Sequence, residues 1–121
     1  MSSIIHKKAY QDFSIALNDF KGHFQHRDRT VDNGEITATW TNLKQMFQER
    51  IIPLTDEELE GEVANRWISL QTEIQREFRL LNTDWLFWIS ARQQSTKQAR
   101  EQAVAERLSK LISYCQLMLT L

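Results

Sequence analysis

The sequence predicts an all-α protein, an up-down antiparallel four-helix bundle with a long third helix, and three observations carry that prediction. Apolar residues recur at alternating spacings of three and four through four separate segments. Only three Gly and one Pro occur in 121 residues, too few for the turns of a β-domain. The connections between the periodic segments are short, which makes successive helices antiparallel neighbours. The helices are expected over about residues 3–28, 35–52, 56–93 and 96–120, in one domain of residues 1–121.

The first helix has Tyr10, Phe13, Leu17, Phe20 and Phe24 on one face, a bundle seam. Ser2 or Ser3 is placed to cap it, it should end by Arg29, and Asp32-Asn33-Gly34 is a strong turn signal. Ile36, Trp40, Leu43, Phe47 and Ile51 form the seam of the second helix, which Pro53 stops because it lacks a backbone N–H. The run Ile36 to Thr41 also alternates like a strand. Helix is preferred, since no second strand-like segment exists to take up the hydrogen bonds of a lone strand.

The third helix carries the clearest start signal. Thr55 with Glu58 reads as a capping box, Leu54 with Leu59 as a hydrophobic staple, and Asp56 to Glu58 as first-turn carboxylates favoured by the helix dipole. Its face runs through Leu59, Val63, Trp67, Leu70, Ile74, Phe78, Leu81, Trp85 and Trp88. Unbroken to Ala91, it would span about 50–55 Å. Asn82-Thr83-Asp84 is a candidate kink, because these side chains compete with the helical backbone. The second helix is expected along its first half and the fourth along its second half. Ser95 or Thr96 is placed to cap that fourth helix, whose seam is Val104, Leu108, Leu111, Cys115 and Met118.

Composition excludes several classes. Charged residues at 26% and hydrophobic residues at 41% match an ordinary globular chain, against disorder and against membrane spanning. No apolar run approaches the roughly 20 residues of a membrane helix, and the N-terminal stretch lacks a signal-peptide core. The single cysteine rules out an intramolecular disulfide and suits a cytoplasmic protein.

Constellations of reactive side chains read as structural. His23 and His26 share a helical face but lack companion ligands, so neither a metal nor a cofactor is expected. Glu58 with Glu62 and Glu73 with Glu77 have carboxylate spacing without a histidine three residues on, and read as solvated faces. Cys115 lies on a core stripe, which makes it an inert thiol. No phosphate loop or His-Glu-x-x-His is present, and no enzyme activity is expected.

Trp85-Leu86-Phe87-Trp88-Ile89 is different, because five successive apolar residues cover the whole circumference of a helix. Four helices cover one side of it fully and a flank in part. Either neighbours wrap it within one chain, or a homodimer or partner covers the remainder. Phe87 and Leu80, seven residues apart, form a second stripe that the core does not need.

Ala91-Arg92-Gln93, then Thr96, then Arg100, and then an amphipathic helix ending Leu111-Ile112-Ser113-Tyr114-Cys115, resemble the C-terminal half of the PatD family. These are small cyanobacterial proteins associated with heterocyst frequency control. The resemblance covers about a third of the chain, and Phe87-Trp88 departs from the family's Phe followed by a small aliphatic residue. It implies a non-enzymatic regulator linked to the tubulin-like division GTPase FtsZ, acting where cell division meets heterocyst differentiation. The expected partner-binding residues are Leu80 and Phe87 from the second stripe, with Arg92, Gln93 and Arg100 from the family motif. The alternative is a small DNA-associated regulator using Arg92, Lys97, Arg100, Arg107 and Lys110, although a net charge of −1 makes nucleic acid an unfavoured partner.

Overall fold

The computed structural model describes residues 4–28 and 33–121. It holds four helices: α1 (Ile4–His26), α2 (Gly34–Met46), α3 (Gly61–Ser90) and α4 (Gln94–Leu119). α2 runs on into a π-helical turn over Phe47–Ile51. No strand occurs among the described residues, and Ile36 to Thr41 lies within α2. α1 closes at His26, short of Arg29. The expected Ser2 or Ser3 cap, Arg29 itself and Asp32 of the turn lie outside the described residues.

The chain runs up, down, up, down. His6 sits edge-on to Trp67, Phe13 against Phe78, and Phe24 against Trp88, so α1 and α3 run in the same direction. Trp40, midway along α2, meets Phe20 and Trp85, while Phe47 just beyond its end meets Phe13 and Phe78, so α2 runs against both. The closest backbone packing joins α3 to α4, α1 to α4, and α1 to α2 with its π turn. No Cα of α2 comes within 8 Å of α3. Rings fill that wide seam instead: Trp40 stacks on Phe78 at 5.5 Å and on Trp85 at 5.2 Å, and Phe47 on Phe78 at 4.0 Å. Each such pair contributes about 0.5–1.5 kcal/mol beyond its buried area.

The seams of α1, α2 and α4 are buried at every position that the periodicity picks out. α3 differs at its start. It begins at Gly61, with Glu60 as N-cap, and not after Thr55. Leu59 N–H bonds to the Asp56 carbonyl at 2.9 Å in a separate turn, and the Thr55 carbonyl accepts from His6 Nε2 at 2.5 Å. Gly61 then takes φ +61°, a left-handed conformation that a helix from Thr55 onward could not contain. Thr55 therefore caps nothing, and α3 spans about 45 Å, not 50–55 Å. Val63 is exposed, since it precedes the first packed layer, Trp67 against His6.

α3 is unbroken through Asn82-Thr83-Asp84. The Thr83 hydroxyl bonds back to the Arg79 carbonyl and the Asp84 carboxylate holds Arg107, so both side chains are taken up without ending the helix. α4 starts at Gln94, with Gln93 in the N-cap position and no side-chain cap from Ser95 or Thr96. The expected division of α3 into two halves also fails. α4 follows it from Trp88, which lies under Lys97, down to Leu70, which neighbours Leu117.

The π turn sets the end of α2. Ile52 N–H reaches the Phe47 carbonyl at 3.0 Å, one residue wider than an α-turn. The Ile51 carbonyl accepts from Leu54 N–H at 3.2 Å and from Gln71 Nε2 at 2.9 Å. Gln71, buried on α3, also accepts the Tyr10 hydroxyl, so one amide ties α1, the π turn and α3 together. Burial pushes the Tyr10 hydroxyl pKa up, which keeps it a neutral donor.

Candidate protein-contact surface

The last turns of α3 divide their apolar residues between two environments. Trp85 and Trp88 point into the aromatic layer formed with Phe20, Phe24 and Trp40, and Ile89 packs partly against the core. Leu86 stays 55% exposed and Phe87 49% exposed. Four helices therefore leave part of this segment uncovered. Leu80, two turns earlier on the stripe of Phe87, is half-buried and stands apart from the core cluster.

Of the five expected partner-binding residues, two touch. The Arg100 guanidinium lies 4.8 Å from the Phe87 ring centroid, reaching across from α4. Arg92 and Gln93 are exposed in the short connection between α3 and α4, which turns because Ala91 and Gln93 adopt extended backbone. Gln93 accepts Lys97 N–H at 2.9 Å through its carbonyl, leaving its side chain outward. The surface is thus an apolar pair beside an elbow that carries Arg92 and Arg100.

Behind it lies a clamp that the sequence reading missed. Arg27 sits 4.5 Å from the Phe24 ring and 4.7 Å from the Trp88 ring, pairs with Glu101 at 3.1 Å and donates to the Phe24 carbonyl. Lys97 covers the Trp88 ring as well, at 4.7 Å. Cation–aromatic contacts of this kind contribute about 0.5–2 kcal/mol each. Together they fix the start of α4 against the end of α1. The available signal was phase, since Arg27 continues the spacing of Phe20 and Phe24 by three.

A second omission is Glu77. Expected on a solvated face, it is fully buried, where it accepts from Arg107 at 2.7 Å, Lys110 at 3.1 Å and Arg76 at 3.3 Å. Arg107 also holds Asp84 at 3.1 Å. Burial works to raise the Glu77 pKa, but the hydrogen bonds from Arg107 and Lys110 outweigh it and hold it below the usual range. Its position three after Ile74 and four before Leu81 places it on the seam by phase alone. Glu73 is partly exposed beside Arg76, and Glu58 and Glu62 are exposed.

The remaining reactive groups assemble no centre. His23 and His26 are exposed and line a hollow of 490 Å³ with Asp28, Glu35 and Thr39. Among the described residues no group of three or more His, Cys, Asp or Glu is placed to hold a metal ion. Cys115 is buried, and burial pushes its thiol up to about 12. Among the described residues no helix is long and apolar enough to cross a membrane. Comparison of the chain with protein-family models, curated proteins and solved structures finds no match.

Proposed function

We propose that this chain is a non-enzymatic regulator or adaptor acting by protein–protein contact through the surface around Phe87, with Leu80, Arg92, Gln93 and Arg100 as its other contributors. The observation that carries the reading is the exposure of Leu86 and Phe87 inside a segment whose neighbours Trp85 and Trp88 are buried. Burying the open half of a Phe, on the order of 100 Å², stabilises a complex by about 2 kcal/mol. The cations beside it suit an acidic partner surface. The resemblance to the PatD family supplies the candidate partner, FtsZ, and the candidate process, control of heterocyst frequency in the cyanobacterial cytoplasm. Arg107 and Lys110, two of the five cations that a DNA-binding reading needs, are engaged with Glu77, which favours protein over nucleic acid.

Co-sedimentation with polymerised FtsZ tests the reading. The wild-type chain should pellet with the polymer, and Phe87→Glu should remain in the supernatant while keeping its helical signal and a cooperative melt, because the change removes the ring that the contact buries and sets a carboxylate against Arg100, cancelling a charge offered to an acidic partner. A wild-type chain that stays in the supernatant removes FtsZ as partner. Should Phe87→Glu unfold a chain that sedimentation shows to be monomeric, Phe87 is core and the contact surface disappears with it.

A further inference from the structure

We infer that the Phe87 surface takes a second copy of this chain, docked head to tail, with the acidic start of α3 in one copy against the α3–α4 elbow of the next. The inference rests on the reading of that surface as a contact face and adds a second occupant, which would compete with FtsZ for it. From Trp85 to Arg100 the chain carries three cations, Arg92, Lys97 and Arg100, and no carboxylate. From Thr55 to Glu62 it carries five carboxylates, Asp56, Glu57, Glu58, Glu60 and Glu62, and no cation. All five are exposed. Lys7 and Lys8 lie on the neighbouring first turns of α1, with Lys8 tied to Asp12 at 3.1 Å, and offset only part of this charge.

Each end pairs its charge with exposed apolar side chains. Leu86 and Phe87 stand beside the cations, while Ile52, 48% exposed, and Pro53 precede the carboxylates. The two patches cap opposite ends of α3, about 45 Å apart along one unbroken helix, so they cannot satisfy each other within a chain. They can do so between chains. Because the surfaces in contact differ, the association is heterologous and extends into an open chain or closes as a ring, unlike a two-fold dimer. Attraction between exposed charges of opposite sign makes it salt-dependent.

Sedimentation velocity on three forms of the full chain tests this: the wild type, Arg92→Gln with Arg100→Gln, and Asp56→Asn with Glu57→Gln and Glu58→Gln. All substituted positions are exposed, so each form should keep a cooperative melt within a few degrees of the wild type, the arginine variant losing only the surface contact of Arg100 with Phe87. The wild type should form species larger than a dimer as concentration rises, with association at least about tenfold weaker near 1 M salt, where the screening length falls to about 3 Å. Each variant alone should be monomeric at concentrations where the wild type associates. Mixed, they should form a one-to-one complex and nothing larger, since each retains the end that the other lacks. A wild type that stays monomeric into the millimolar range at low salt overturns the inference, and so does a dimer that either variant leaves intact. If it is overturned while Phe87→Glu still abolishes co-sedimentation with FtsZ, the surface belongs to a foreign partner and the functional reading stands.

Discussion

Replacing Arg107 by Met isolates the energetic role of the buried Glu77 carboxylate. Methionine keeps much of the volume of the arginine stem, so the change removes charge and hydrogen bonds more than packing. Glu77 would retain Lys110 and Arg76, but both are about half exposed and screened by water, and Asp84 would lose its ion pair with Arg107. Breaking a buried pair costs about 3–5 kcal/mol, and the two remaining cations should reduce that to about 2–3 kcal/mol. In a chain of this length that lowers the midpoint of thermal unfolding by about 8–12 °C. The pH dependence follows from the direction of the Glu77 shift. Its folded pKa lies below the unfolded value of about 4.3, so its contribution is present above that pH and is lost as pH falls through the folded value. Denaturant melts of wild type and Arg107→Met should therefore differ most at neutral pH and converge as pH falls through the lowered folded value of Glu77. A gap under about 0.5 kcal/mol at neutral pH, or one that persists unchanged into acid, would refute the reasoning.

Truncating Trp88 to Ala should cost about 3–5 kcal/mol in a melt, since its ring is fully buried against Phe24 and Trp85 and lies under Arg27 and Lys97. No hydrogen bond adds to that figure, because the indole N–H meets no acceptor among the described residues. Gly61→Ala should destabilise by about 1–2 kcal/mol through its left-handed backbone, whereas Thr55→Ala should stay within about 0.5 kcal/mol; the reverse order would restore the helix start at Thr55. A thiol reagent at pH 8 should leave Cys115 unmodified until the chain is unfolded, because the buried thiol titrates at about 12, and rapid reaction with folded protein would contradict its burial.

Most of the bundle was legible in one dimension because amphipathic periodicity is a local property. The seams Tyr10 to Phe24, Ile36 to Ile51 and Val104 to Met118 repeat at helical spacing, and burial follows. The start of α3 was misread because Leu54, Thr55, Glu58 and Leu59 reproduce a capping box and staple by spacing. What overrides them is His6, bonded to the Thr55 carbonyl from 49 residues away, together with the conformation of Gly61. Polar seam residues were hidden for the same reason. Gln71 needs Tyr10 and Glu77 needs Arg107, partners that a single-chain pattern cannot assign. Exposure at Phe87 was foreseeable from five consecutive apolar residues, while its contact with Arg100 depends on how α4 folds back.

The aromatic seam has a further consequence, for observation. Trp85 lies 5.2 Å from Trp40 and 5.1 Å from Trp88, close enough for their electronic transitions to couple, whereas Trp67 stands at the opposite end of α3 beside His6. Near-ultraviolet circular dichroism should be dominated by the coupled trio, and a Trp67→Phe variant would assign what is left. The protein thus carries an optical reporter at each end of its longest helix. Comparing the two during unfolding would reveal whether the bundle melts as one cooperative unit or frays first at the acidic end, where α3 is entered through a turn instead of a side-chain cap.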